Sequence, residues 1–243
     1  MKLMSQIAIL FIVLFLSVSG YCGNKACAVS KSKQQKKNFK TQVNMKYLLY
    51  LPDGYDKKGQ SWPLIVFLHG AGEREDDLEK VKMQGIPKML EKKADFPFVV
   101  VSPQCLENAW WTGYAETLKA LIDRIKAKYN IDPSRVYLTG ISMGGFGTWY
   151  LAARYPQDFA AIAPICGGGE LLFVKNLKMP IWVFHGAKDD VVPLRRSQEM
   201  VDAVKAAGGD VKFTIYPELK HDSWTVTYEN EELYKWFLSH KKQ

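Results

Sequence analysis

The sequence predicts an α/β fold with a mostly parallel central sheet and helices on both of its faces. Short continuous apolar runs, such as residues 63–68 and 98–101, are typical of strands that are buried on both sides. They alternate with segments whose apolar residues recur every three or four positions, which is the pattern of amphipathic helices. This alternation indicates parallel strands joined by helical crossovers. The 243 residues show no internal repeat and suit one such domain.

The individual elements follow from local patterns after residue 40. A first strand is predicted at 45–51, because the turn sequence Pro-Asp-Gly follows it. The helix after strand 98–101 has apolar residues from Leu118 to Tyr129 on one stripe, and it stops at Asp132. The same patterns predict strands at 135–139, 160–165, 180–184 and 211–216, and helices at 145–155, 195–207 and 231–240.

The basic charge of the chain is concentrated in its first 40 residues. The formal net charge is +8, and residues 1–40 hold seven lysines and no acidic residue. Without these seven lysines, residues 41–243 carry a net charge of +1. Nucleic-acid binding calls for a basic face on the fold itself, so no nucleic-acid partner is expected.

Residues 1–28 are predicted to be an export signal. The apolar run at 7–18 follows a positive start; it is too short to span a bilayer comfortably and fits a signal-peptide core. Cleavage is expected near residue 20 or 28. The protein is therefore expected to be periplasmic or secreted, with no transmembrane span in the mature chain.

Two further expectations concern the residues around that signal. Cys22 makes a lipid anchor the lesser alternative, because Tyr21 is larger than the residue that such signals place there. The lysine-rich residues 29–40 are predicted to be a disordered basic spacer. Residues 41–243 are then the catalytic domain.

Cys105 and Cys166 are predicted to remain free and buried. They fall at the ends of strands that are not neighbours in the expected sheet. Strands lie about 4.8 Å apart and a disulfide needs Cα atoms within about 7 Å, so the two thiols are too far apart to pair.

Ser142 is the candidate nucleophile. It is the central residue of a G-x-S-x-G sequence, GISMG, that lies between a predicted strand and a predicted helix. This is the context of a nucleophile elbow, a strained turn that lifts a serine hydroxyl clear of the sheet. The flanking glycines leave room for that turn.

A nucleophilic serine needs a base, and folds with such an elbow supply the acid and then the histidine after the serine. His69 and His185 each precede a glycine at a strand end, and His240 lies in the charged tail. His221, in the loop after the last strand, is therefore the candidate base.

The orienting acid is expected after strand 180–184. Asp189 and Asp190 both follow it, and Asp189 is the first choice because its place in the turn lets it point back to the histidine. Asp190 is the alternative.

Backbone N–H groups are expected to bind the oxyanion that forms during acyl transfer. Met143, the residue after the nucleophile, is one candidate donor. The other comes from the loop after strand 63–68, where Ala71 is the first choice and Gly72 the second.

Three tryptophans are candidate substrate-binding residues. Trp110 and Trp111 lie in the loop after strand 98–101, and Trp224 is three residues past His221. Such loops line sites at the carboxyl ends of strands, where aromatic rings can hold an acyl or aryl group. No metal-ligand spacing occurs, so neither a metal nor a cofactor is expected.

These motifs together resemble the phospholipase/carboxylesterase-like and dienelactone-hydrolase-like branch of the α/β-hydrolase superfamily. The resemblance covers residues 45–240 and is carried by LHGAGE, IDPSRVYLTGISMGGFGTWYLA, PIWVFHGAKDDVVP and YPELKHDSW. It implies the α/β-hydrolase fold, the triad Ser142, Asp189 and His221, and donors at Ala71 and Met143. Glu75 departs from this pattern, since glycine is expected there. About a dozen residues separate the strand ending near Cys166 from the next, so no large lid is expected.

The resemblance implies an exported serine carboxylesterase. Relatives of this kind include feruloyl and acetyl esterases, whose substrates are small-molecule or polymer-borne esters. A dienelactone hydrolase proper would use a cysteine where this chain has Ser142. Two alternatives remain open: a serine peptidase of the prolyl-oligopeptidase type and a non-catalytic binding module on a hydrolase scaffold. The sequence does not fix the oligomeric state.

Overall fold

The computed structural model describes residues 34–40, 44–55, 59–93 and 95–242. The predicted signal at 1–28, with both cleavage positions and Cys22, lies outside these residues. None of the helices in the described ranges is long and apolar enough to cross a membrane.

Eight strands form one central sheet. They are β1 (Gln35–Lys40), β2 (Asn44–Tyr50), β3 (Trp62–Leu68), β4 (Val99–Pro103), β5 (Ile131–Ile141), β6 (Ala161–Ile165), β7 (Ile181–Gly186) and β8 (Val211–Tyr216). Their order in the sheet is β1-β2-β4-β3-β5-β6-β7-β8. The pairs β1/β2 and β2/β4 are antiparallel, and every other pair is parallel. The predicted mostly parallel sheet is therefore confirmed.

Helices cover both faces of this sheet. They are α1 (Gly85–Leu90), α2 (Ala115–Lys128), α3 (Met143–Arg154), α4 (Arg195–Ala206), α5 (Trp224–Glu229) and α6 (Glu231–Ser239). In β3, Ile65 and Phe67 belong to a core cluster that also holds residues of α1, α5 and α6. Leu64, Val66 and Leu68 point to the opposite face, because successive strand residues alternate, and they are buried as well.

The predicted disordered spacer at 29–40 is wrong for residues 35–40, which form β1. This strand pairs with β2 along its whole length, and Lys36 makes an ion pair with Glu79 at 2.8 Å. The prediction failed because it relied on the lysine-rich composition of this segment. An edge strand is held by backbone hydrogen bonds and needs few apolar residues. The fold accordingly begins before residue 41, the predicted start of the domain.

Two shorter elements, α1 and α5, were not predicted from the sequence. Each has six residues, which is too short for a periodic apolar stripe. The segment between β6 and β7 is fully described and contains one short 3-10 helix, Leu171–Asn176, in place of a lid.

The structure also tests the prediction for the two cysteines. Cys105 and Cys166 are free and buried, as predicted. Burial raises the pKa of the Cys105 thiol to about 11.

Glu75, where glycine was expected, has a φ of 128°, a backbone conformation that favours glycine. Its carboxylate is paired with Lys80 at 2.5 Å.

Candidate active site

Ser142 lies in the tight turn between β5 and α3. Its φ is 52° and its ψ is −115°, a combination that non-glycine residues rarely adopt. The Ser142 N–H donates to the Ile165 carbonyl at 3.0 Å, and its carbonyl accepts from the Phe146 N–H at 3.0 Å. The turn is thus held from both sides, which keeps the serine in its strained conformation.

The glycines of the elbow are needed for space. A Cβ at Gly144 would lie 1.9 Å from the Leu68 carbonyl oxygen and 2.7 Å from that of His69. A Cβ at Gly140 would lie 2.4 Å from the Gly144 carbonyl oxygen. The backbone of α3 therefore packs directly against the end of β3 and the loop that follows it.

Replacing Gly144 with alanine is expected to lower the free energy of unfolding by about 3 kcal/mol or more, because backbone atoms cannot move away from the new methyl group. Urea denaturation followed by tryptophan fluorescence measures this change. Gly72→Ala is the matched control, since a Cβ there meets nothing within 4 Å. Equal midpoints for the two variants would contradict the packing described here.

His221 connects the serine to an aspartate. Its Nε2 lies 3.0 Å from Ser142 Oγ, and its Nδ1 lies 2.7 Å from Asp189 Oδ2. The Asp189 side chain is fully buried and that of His221 is 18% exposed. In this arrangement Nδ1–H donates to the carboxylate, which leaves Nε2 free to accept the serine proton.

Contacts between two loops bring the aspartate and the histidine together. The Ala187 and Lys188 N–H groups, just after β7, donate to the carbonyls of Tyr216 and Leu219 at 2.9 Å each. A Cβ at Gly186 would lie 2.2 Å from the Lys220 carbonyl oxygen, so glycine permits this close approach.

The second Asp189 oxygen is also fixed. Oδ1 accepts from the Val191 and Val192 N–H groups at 2.9 Å each. The alternative acid, Asp190, instead faces solvent and pairs with Lys220 at 3.0 Å. Of the two candidates, the structure brings Asp189 to the histidine.

His185 also contacts Asp189, which sequence analysis missed. Its Nε2 lies 3.1 Å from Asp189 Oδ2 and 2.8 Å from the Val192 carbonyl oxygen. Both neighbours are acceptors, so Nε2 carries the proton. Burial lowers the pKa of His185. The available signal was its place at the end of β7, four residues before the acid.

The two candidate oxyanion donors come from the elbow itself and from the loop after β3. Met143 is the first residue of α3, where N–H groups have no partner within the helix. Ala71 begins the 3-10 helix Ala71–Glu73 in the loop after β3. That loop touches the elbow through the carbonyls that Gly144 approaches.

His69 holds the same loop in place through two hydrogen bonds. The Cys105 N–H donates to its Nε2 at 2.9 Å, and its Nδ1–H donates to the Gly70 carbonyl at 2.6 Å. Burial lowers the pKa of His69 to about 4. The ring is therefore neutral at neutral pH, as both hydrogen bonds require.

This depressed pKa makes stability depend on pH. An unfolded histidine titrates near 6.5, so between pH 6.5 and 4 the unfolded chain binds a proton that folded His69 does not. The stabilisation is complete above pH 6.5 and is lost as the pH falls toward 4. When the pH is lowered from 6.5 to 4.5, the unfolding free energy of the His69→Gln variant is expected to fall by about 2 kcal/mol less than that of the unchanged protein. Urea titrations at both pH values test this, and parallel losses in both proteins would refute it.

The prediction that Trp111 binds substrate is wrong. Its side chain is 1% exposed, and its Nε1–H donates to the His69 carbonyl at 2.9 Å. Its ring packs against His69 with centroids 4.9 Å apart. Trp111 therefore supports the loop of Ala71, and its polar atom is already satisfied inside the protein.

The other two tryptophans are accessible. Trp110 is 53% exposed. Trp224 packs edge-on against the His221 ring with centroids 5.2 Å apart, and its Nε1–H donates to Gln84 Oε1 at 3.2 Å. Trp224 is thus the tryptophan that adjoins the Ser142–His221 pair.

Cys166, Asp189 and His221 form a group of three side chains that could bind a metal ion. Donor atoms of Cys166, Asp189 and His221 lie within 4.8 Å of one another. Burial raises the pKa of the Cys166 thiol, so it stays protonated at neutral pH. Both Asp189 oxygens already accept hydrogen bonds. These contacts fit the serine–histidine–aspartate chain better than an ion, which would have to displace them.

The sheet order and the elbow between β5 and α3 are those of the α/β-hydrolase fold. A solved structure described as a thermostable esterase superposes on 87% of this chain and 64% of its own, with a TM-score of 0.75 and 33% sequence identity. A model of the dienelactone hydrolase family matches residues 29–232. The chain belongs to the dienelactone hydrolase family.

Two curated relatives show the range of this similarity. Poly(3-hydroxyalkanoate) depolymerase C of Paucimonas lemoignei is 34% identical over 152 residues, which are 55% of this chain and 34% of the relative. A bifunctional acetylxylan esterase/xylanase of Neocallimastix patriciarum is 33% identical over 138 residues, 54% of this chain and 20% of the relative. The aligned part is therefore about a third or less of these relatives' length.

Proposed function

We propose that this protein is an exported serine carboxylesterase, with feruloyl or acetyl side groups of polysaccharides as candidate substrates. The observation that carries the proposal is the continuous hydrogen-bonded chain from Ser142 Oγ through His221 to Asp189, at 3.0 and 2.7 Å. This chain starts on a strained elbow at the head of α3. The names of the two curated relatives, a polyester depolymerase and an acetylxylan esterase, support an ester as the bond that is cleaved.

The geometry supports a two-step reaction. His221 Nε2 takes the proton of Ser142 as Oγ attacks the ester carbonyl carbon. The backbone N–H groups of Met143 and Ala71 donate hydrogen bonds to the oxyanion that forms. His221 then returns the proton to the leaving alcohol oxygen, which leaves an acyl group on Ser142. His221 then takes a proton from water as that water attacks the acyl carbon, and it passes this proton to Ser142 Oγ as the bond to the serine breaks and the acid leaves.

Export rests on the leader of the sequence. The apolar run at 7–18 and the small residues after it match a signal peptide. Expression of the full chain in a bacterium, with fractionation of the cells and N-terminal sequencing of the product, tests this. A mature N-terminus near residue 21 or 29 supports export, and an intact chain in the cytoplasm refutes it.

A substrate panel tests the activity. Initial rates are measured with p-nitrophenyl acetate, butyrate and decanoate, methyl ferulate and a proline-containing peptide amide. Turnover of one or more esters, with none of the amide, is the expected result. A fluorophosphonate probe should label Ser142, as mapped by peptide mass spectrometry. Absence of both ester turnover and labelling would overturn the proposal in favour of a binding role, and faster amide cleavage would favour a peptidase.

A further inference from the structure

A cavity lies between α1 and α5, next to the candidate active site. Its volume is about 340 Å³, and Met89, Trp224 and Tyr228 provide apolar lining. We call this cavity the α1–α5 cleft. Neither α1 nor α5 was predicted from the sequence, and no step of the proposed reaction uses the cleft.

Trp224 is shared by the cleft and the surroundings of the histidine. Its side chain packs against the His221 ring, and the residue also lines the cleft. The hydrogen bond from its Nε1–H to Gln84 Oε1, on the residue before α1, holds the ring between the two. The cleft therefore lies one side chain away from His221.

The direction of the reaction assigns this group to the alcohol side of the ester. His221 Nε2 delivers its proton to the leaving oxygen, so that oxygen must lie against the imidazole in the transition state. The alcohol part is attached to the leaving oxygen and consequently extends past His221. Trp224 is the aromatic side chain packed on that ring.

The charges at the rim of the cleft are mostly positive. Lys88, Lys92 and Lys93 line it together with a single carboxylate, that of Glu229. Within the described residues, none of the three lysines is in an ion pair; the nearby Glu91 is instead paired with Lys82 at 3.6 Å. Lys93 Nζ lies over the Phe96 and Tyr234 rings, 5.9 Å from each centroid, whereas Lys88 and Lys92 have no such contact within the described residues. Ammonium groups beside an apolar surface favour a ligand that joins an apolar body to a negative charge.

We propose that the α1–α5 cleft is the subsite for the alcohol part of the ester and that it selects carboxylate-bearing alcohols with an apolar face. The proposal rests on the proposed function for the reaction but predicts binding independently of it. In a polysaccharide substrate, such an alcohol would be an acidic sugar unit. Esters of neutral alcohols are then the poorer substrates.

A binding experiment tests the cleft without catalysis. Dissociation constants of the full chain are measured by fluorescence for 6-hydroxy-2-naphthoate and for 6-hydroxy-2-naphthamide, which differ in charge and hardly in shape. The naphthoate is expected to bind about tenfold more tightly, or about 1.4 kcal/mol. This difference should shrink in 0.5 M salt, because exposed charges are screened.

Variants locate the effect in the cleft. The double variant Lys88→Gln, Lys92→Gln should bind both compounds equally. The double variant Lys212→Gln, Lys235→Gln removes the same charge from a different groove, lined by Trp182 and Trp236, and should keep the tenfold preference. Equal binding by the unchanged protein, or a preference that survives in the first variant, would overturn the proposal.

Kinetics separate the failure of the subsite from the failure of the function. The acetyl esters of the two naphthols are compared by kcat/KM, and a tenfold preference for the anionic ester, carried by KM, is expected. Hydrolysis of both esters at equal kcat/KM would refute the subsite and leave the esterase in place. If neither these two esters nor any ester of the substrate panel is hydrolysed and Ser142 is not labelled, while the binding preference and its loss in the variant hold, the cleft remains an anion-selective binding site and the esterase proposal fails.

Discussion

Replacing Ser142 with alanine is expected to reduce ester turnover by about 10⁶-fold, the scale seen when the nucleophile of such a unit is removed. The methyl group cannot form the acyl intermediate, and His221 loses the hydroxyl that lies 3.0 Å from its Nε2. Initial rates with p-nitrophenyl butyrate, measured at enzyme concentrations high enough to detect residual turnover, give the ratio.

A matched serine makes this result specific. Ser239 is exposed at the end of α6, far along the chain from the elbow, and Ser239→Ala should keep full activity. The Ser142→Ala protein should also keep its thermal midpoint or gain stability, because the hydrogen bonds of the turn are made by the backbone of residue 142 and remain in the variant. Turnover that persists in this folded variant would mean that another group is the nucleophile.

Replacing Asp189 with asparagine is expected to lower kcat by about 10⁴-fold with a small change in KM. The hydrogen bonds around the carboxylate explain the size of the effect. The Val191 and Val192 N–H groups cannot change from donor to acceptor and require an oxygen at the Oδ1 position. The amide nitrogen of asparagine therefore falls at the Oδ2 position, opposite His221 Nδ1 and His185 Nε2. Nδ1 must then accept, and the imidazole proton moves to Nε2, where it blocks removal of the serine proton.

Asp190 provides the control for this substitution. It undergoes the same chemical change one residue away, but its carboxylate is exposed and paired with Lys220 at 3.0 Å. Asp190→Asn should therefore keep kcat within about twofold, as expected when an exposed ion pair is lost. If Asp190→Asn were the more damaging change, the assignment of the orienting acid would be reversed.

The sequence patterns predicted the parts of the molecule that local chemistry determines. Continuous apolar runs marked the buried strands, and their parallel pairing is confirmed. The order of Ser142, Asp189 and His221 along the chain selected three residues that the structure places within hydrogen-bond distance. Such a motif is readable because one short turn and two loops at strand ends carry all of it.

Other features depend on contacts between distant segments, and local patterns could not predict them. Trp111 occupies the expected loop, yet the His69 carbonyl satisfies its indole and turns it inward. His185 reaches Asp189 because both flank the same short turn after β7. The α1–α5 cleft is formed by two helices of six residues, which leave no periodic signal.

The strand β1 has a practical consequence for work with this protein. It is an edge strand of the sheet, and Lys36 and Asn38 are exposed on it. A shortened protein that starts at residue 41 would leave the N–H and C=O groups of β2 unpaired beside buried Leu48 and Leu49. An uncovered apolar border of this kind recruits the same border of another molecule and leads to aggregation. Recombinant versions should therefore retain the chain from residue 34 onward if they are to stay monodisperse.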